Sequence, residues 1–152
     1  MGVYYRICRS RHALTAMDGE GARLYGGRWN PIGVAAVYLA ESRALAALEV
    51  LVHAGREAML LDWSLIEVEI PEKLIEKVEP MDLPSGWDLQ PGSREVRKFG
   101  EAWLREGTLP ALQVPSAVVP EEFAIVLRPD HVKVSRIRVS EARDFPFDKR
   151  LG

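Results

Sequence analysis

The sequence predicts an α+β domain: a small mixed β-sheet core with flanking helices. Three observations carry this. Short apolar or alternating runs outnumber helical stretches, strands and helices do not alternate as regular βαβ units, and no linker divides the chain. The first strand is Val3–Cys8, followed by an irregular loop to Gly33 that holds five of the 12 glycines. Val34–Ala40 reads as a buried strand. Ser42 is placed to cap a helix that Gly55 stops. In 65–70, Ile66, Val68 and Ile70 alternate with Glu67 and Glu69, the pattern of a half-buried strand. Pro71 opens a short helix to about Val78, and Leu83–Gly92 is loop. Ser93 caps a second helix through Glu106, ended by Gly107. Short strands follow near Ala111–Val114, Ala117–Val119, Phe123–Leu127 and Ser135–Val139.

Composition bounds the function. The chain has 152 residues, 47% hydrophobic and 28% charged, which suits one folded domain spanning 1–152. A formal charge of −2 supplies no global basic field, so no direct nucleic-acid partner is expected. Arg6, Arg9, Arg11 and His12 cluster locally and read as a solvated loop. One cysteine, Cys8, excludes an internal disulfide, and three scattered histidines make a metal site improbable. The longest uncharged run, Gly107–Pro120, has 14 residues and three prolines and cannot span a bilayer as a helix. Without a signal-peptide core, the expected location is the cytoplasm.

Three residues stand out chemically. Glu49 is the only charged side chain between Ala44 and Gly55, on a helix apolar nearly all round. An ionised carboxylate buried there costs several kcal/mol unless it is paired or faces a cleft. It is therefore either a functional carboxylate or half of a structural pair. Arg28 lies in Gly26-Gly27-Arg28-Trp29-Asn30, where glycines allow close backbone approach and a guanidinium grips phosphate bidentately. A surface turn with a stacked Arg–Trp pair, or a structural partner for Glu49, fits Arg28 equally. Ser116 is a lone hydroxyl among apolar residues, free to bond its own backbone or a partner. No G-x-S-x-G elbow makes it a nucleophile, and no Walker or GxGxxG loop is present. Tyr38 and Trp29 are able to stack on a flat heteroaromatic ring, although aromatics beside strands commonly belong to the core.

The same residues carry a resemblance. Tyr5-Arg6, Gly26 to Asn30 with Gly33, Val37-Tyr38-Leu39-Ala40 and Ala47-Leu48-Glu49 follow one another in order. Gly100 and Trp103, Val114 to Val118, Pro129 with His131, and Phe145-Pro146-Phe147-Asp148 complete the series. Together they resemble the RES domain family over essentially the whole chain. The arginine, glutamate and serine for which that family is named fall on Arg28, Glu49 and Ser116. The resemblance implies a sheet of the diphtheria-toxin ADP-ribosyltransferase type, with NAD as substrate and no metal. It implies a toxin of a bacterial toxin–antitoxin pair that cleaves the nicotinamide–ribose bond, passing ADP-ribose to water, phosphate or a protein. The partner it implies is an Xre-like helix-turn-helix antitoxin; a homo-oligomer is left open. Glu49 would stabilise the ribosyl cation, Arg28 would hold pyrophosphate with Arg6 as a second contact, Tyr38 and Trp29 would flank the ring, and Ser116 would bond ribose or nicotinamide. The chain departs from the family's "N-x-L-x-N-P" strand at Ala124 and Arg128. That departure keeps a second reading in view, a catalytically inactive module that binds NAD or antitoxin.

Overall fold

The computed structural model describes residues 1–152. Eight strands form one mixed sheet, with β1 (Gly2–Arg9), β2 (Val37–Ala40) and β3 (Trp63–Ile70) at its centre. Strands β4 (Ile75–Lys77), β5 (Ala111–Pro115) and β6 (Phe123–Leu127) extend one side. The two-residue strands β7 (Arg138–Val139) and β8 (Arg143–Asp144) both pair with β3. The main order is β4-β5-β6-β2-β1-β3-β7, antiparallel throughout except for the parallel β4–β5 pair. The mixed α+β expectation holds.

Alternation along the strands sorts the core onto two faces. Val37, Leu39, Ile66, Val68, Ile70, Ile125 and Leu127 pack together on one. On the other, Leu112, Val114, Ala124 and Val126 meet helix α3 (Arg94–Glu106), and Ile7, Ala40 and Leu65 meet helix α2 (Arg43–Ala54). Both helices are capped as expected: Ser42 Oγ accepts from Leu45 N at 3.0 Å, and Ser93 Oγ from Val96 N at 3.2 Å. Helix α3 seats the loop that carries Arg28. A Cβ added at Gly100 would lie 1.8 Å from Trp29 O, so only glycine lets the helix backbone press on that loop.

Several local expectations are corrected. The 9–33 loop contains a 3-10 turn at Ser10–Thr15 and a short helix α1, Glu20–Tyr25. Residues 34–36 belong to the loop, because Val34 O is taken by the Asn30 side chain at 2.9 Å. After Pro71 comes one 3-10 turn, Glu72–Leu74, and then β4, whose exposed Glu76 and Lys77 hide a strand edge. Ala117–Val119 is a bend, since the Val118 and Val119 amides bond Ser116 Oγ instead of a neighbouring strand. Within 135–139 a 3-10 turn at Val132–Arg136 precedes the two residues of β7. Helix α2 is also less enclosed than its composition suggests. Only Leu45 and Ala46 are fully buried, while Leu48 is 41% and Val52 56% exposed. No helix is long and apolar enough to cross a membrane.

Candidate functional site

Strands β1 and β2 share a single register pair, Tyr5 opposite Ala40. Where their ladder thins, Arg6 bridges them: its Nη1 donates to Tyr38 O at 3.3 Å. A cleft of about 1620 Å³ opens here, lined by β1, the 19–32 loop, α2 and the turn after β5. Arg6, Arg28, Tyr38, Glu49 and Ser116 all line it, although 67 residues separate Glu49 from Ser116 in sequence.

The loop wall is held by Asn30, which is fully buried. Its Nδ2 donates to Ala22 O at 2.8 Å, Val34 O at 2.9 Å and Pro31 O at 3.1 Å. Its Oδ1 accepts from the Tyr38 hydroxyl at 2.6 Å, and that hydroxyl accepts from Trp29 N at 3.1 Å. Burial pushes the Tyr38 phenol well above its ordinary range, so it stays protonated as a donor. A Cβ at Gly27 would meet Asn30 Oδ1 at 2.7 Å and the Tyr38 hydroxyl at 2.8 Å, which explains the glycine. Trp29, expected beside a ligand, does line the cleft, but it is 3% exposed and its ring meets Phe99 edge-on at 6.1 Å. Its ring is a core anchor for the loop.

Arg28 points its Nη1 at Trp87 O (2.8 Å) and Leu89 O (2.6 Å), and its Nη2 at Gln90 Oε1 (3.0 Å). Those three bonds occupy three of five N–H donors and leave two for a ligand. No ion pair joins Arg28 to Glu49, so the structural-partner reading of the pair is corrected to a longer-range attraction. Desolvation lowers the pKa of both Arg6 and Arg28, opposed by Cys8 and Asp18 around Arg6 and by Asp88, Glu49 and Tyr38 around Arg28.

On the facing wall, Ser116 Oγ donates to Glu49 Oε1 at 3.2 Å. The same oxygen accepts from Val118 N (3.1 Å) and Val119 N (3.2 Å), so both readings of Ser116 hold at once. Burial raises the Glu49 pKa, and the Ser116 bond and Arg28 charge lower it by less.

Arg6 and Arg9 are not in a solvated loop; both lie in β1, line the cleft and keep a buried Nε without a partner. Asn30 carried no sequence signal as a structural centre, because its partners are backbone carbonyls within eight residues that only the loop's irregular path turns toward it. Of the two departures, Ala124 lines the cleft, whereas Arg128 braces the start of β5, its Nη1 donating to Gly107 O and its backbone N to Pro110 O at 2.8 Å.

A mixed α+β domain with a carboxylate and spare cationic donors in one cleft defines the class. Comparison supplies the family: the RES domain model matches residues 3–148, and the chain belongs to that family. A Sphingobium sp. (strain YBL2) protein named "Prs ADP-ribosylating toxin" is 38% identical, covering 97% of this chain and 95% of its own. "Toxin Res" of Photorhabdus laumondii subsp. laumondii is 40% identical, covering 98% and 96%. A chain of the solved M. tuberculosis MbcT–MbcA toxin–antitoxin complex shares the fold at TM-score 0.77 and 21% identity, covering 95% of this chain and 84% of that one.

Proposed function

We propose that this RES domain is the toxin of a toxin–antitoxin pair and cleaves the nicotinamide–ribose bond of NAD. The observation that carries the reading is Glu49, a desolvated carboxylate in an open cleft with a single hydroxyl donor and the charge of Arg28 acting on it across the same cleft. Breaking the C1′–N bond sends its electron pair to the pyridinium, which leaves as neutral nicotinamide. Positive charge then develops on the ribose, and the Glu49 carboxylate stabilises it. Water adds to C1′ and releases a proton, giving ADP-ribose. One carboxylate suffices, because the leaving group needs no protonation.

Arg28 and Arg6 would hold the pyrophosphate through their remaining donors. The Tyr38 ring would flank the nicotinamide while its hydroxyl stays bound to Asn30, and Ser116 would orient Glu49 or a ribose hydroxyl. Trp29 contributes by holding the loop. No metal is invoked. Exposed Leu24, Tyr25, Ile32 and Val52 on the cleft wall suit coverage by an antitoxin segment, with an Xre-like helix-turn-helix protein as the proposed partner. The cytoplasm is the proposed site of action.

A second acceptor is favoured by one observation: the 38% identical Sphingobium relative is named as ADP-ribosylating Prs. Transfer to a protein would use the same cation with a side chain in place of water.

The test follows nicotinamide release by chromatography from NAD with wild type and Glu49→Gln. Release by wild type and at least a 10³-fold loss in the variant is expected. Equal turnover by both would remove Glu49 from the chemistry, and no turnover by folded wild type would return the inactive-module reading. Labelled NAD added to lysate separates the acceptors, since only transfer leaves a labelled protein band.

A further inference from the structure

Ser42 and Glu49 are seven residues, about two turns, apart and so share one face of α2. The turn 116–122 between β5 and β6 runs along that face. At one end Ser116 meets Glu49 at 3.2 Å; at the other Ser42 Oγ donates to Glu122 Oε1 at 2.8 Å. Glu122 also closes the turn on itself. Ser116 N donates to Glu122 O at 2.9 Å, and Glu122 N donates to Val119 O at 2.9 Å. Beside it, Phe123 N donates to Glu41 Oε1 at 2.7 Å and Glu41 N to Phe123 O at 3.0 Å.

The two side-chain ties along the face differ in quality. Both hydroxyls donate to carboxylates; at 3.2 Å the Ser116–Glu49 contact is long for an O–H···O bond, whereas the 2.8 Å of Ser42–Glu122 is of full length and strength. The Ser42–Glu122 tie holds the end of the turn away from the cleft, and the Ser116 N to Glu122 O bond at 2.9 Å carries that hold to Ser116. Glu122 does not line the cleft, and it touches neither Glu49 nor Arg28 through its side chain.

We propose that Glu122 is a positioning residue, clamping the 116–122 turn to the N-terminus of α2 and thereby aligning Ser116 on Glu49. This rests on the NAD-cleaving reading for its effect on rate, but not for its effect on the turn. In Glu122→Ala the tie is lost. In Glu122→Gln the amide oxygen still accepts from Ser42.

The test measures kcat and KM for NAD with wild type and both variants, and amide hydrogen exchange at Val118 and Val119. Glu122→Ala is expected to lower kcat about tenfold with KM held within about twofold, and Glu122→Gln to restore kcat to within about twofold. The Val118 and Val119 amides, which bond Ser116 Oγ, should exchange faster in Glu122→Ala and at the wild-type rate in Glu122→Gln. Full kcat in Glu122→Ala, a loss confined to KM, or failure of Gln to restore would overturn the proposal. Wild type that does not turn over NAD sinks the activity reading instead. Exchange then still decides the clamp, for unchanged Val118 and Val119 rates in Glu122→Ala would overturn it.

Discussion

The two walls of the cleft follow opposite rules. On the loop wall, the Asn30 amide bonds three carbonyls and the Tyr38 hydroxyl, which in turn accepts from Trp29 N. Across from it and beneath it, Glu49 has one donor at 3.2 Å, and the buried Nε atoms of Arg6 and Arg9 have no partner. Buried polar groups in a fold are normally satisfied, and two of the three unpaired arginine Nε atoms belong to residues that line the cleft, the third to Arg128 outside it. The Asn30 network is scaffold. The under-partnered groups, among them Arg28 on the same loop, are where chemistry is to be sought.

Breaking the saturated wall should give the largest effect on stability. Asn30→Ala removes the acceptor for Tyr38 and the donors for Ala22 O, Pro31 O and Val34 O. Several buried groups lose partners together, at a cost of about 3 kcal/mol. Urea unfolding should show this as a lower midpoint at unchanged slope. A loss below about 1 kcal/mol would mean that the loop is held by Trp29 and α3, not by Asn30.

The open wall should respond with the opposite sign. The folded state raises the Glu49 pKa above its unfolded value, mainly through desolvation. The folded protein therefore binds that proton more tightly than the unfolded chain does. Its contribution to stability is present below the ordinary carboxylate range and is lost as pH rises through the raised folded value. Above that raised value the ionised group opposes folding, and the neutral amide of Glu49→Gln relieves it. The variant should melt higher by roughly 2–4 °C at pH 7, corresponding to about 1 kcal/mol, with the gain shrinking towards pH 4. A variant less stable than wild type at pH 7 would make Glu49 a structural group like Asn30.

The same contrast explains what was legible in the sequence. Glu49 announced itself because one charge in an apolar helix has few explanations, and Arg28 because glycines flank it. Both capped helices were legible because Ser42 and Ser93 bond amides three residues away. Features made by irregular backbone or by distant partners were not. Asn30 depends on how the loop between Ala22 and Tyr38 folds back on it, and β4 becomes a strand only by pairing with β5. The strand expected at Ala117–Val119 failed because Ser116 already holds its amides. Arg6 and Arg9 looked like solvated charges, since sequence does not show that β1 carries them into a cleft.

Ser116 belongs to both walls' rules at once, and its removal should give the smallest and most discriminating effect. Its hydroxyl accepts two backbone amides and donates its hydrogen to Glu49. That donation favours the ionised carboxylate, against the upward push of burial. Ser116→Ala leaves desolvation less opposed, so the Glu49 pKa rises further above the ordinary carboxylate value. If ionised Glu49 is the catalytic form, turnover falls as pH drops through that pKa, and the acid limb of the kcat profile moves to higher pH in the variant. On the alkaline plateau the loss should be only a few-fold, and it should deepen as pH falls through the limb. A uniform loss at every pH would instead assign Ser116 to substrate contact. A limb displaced to lower pH would mean that water entering the vacated site solvates Glu49 better than the hydroxyl did.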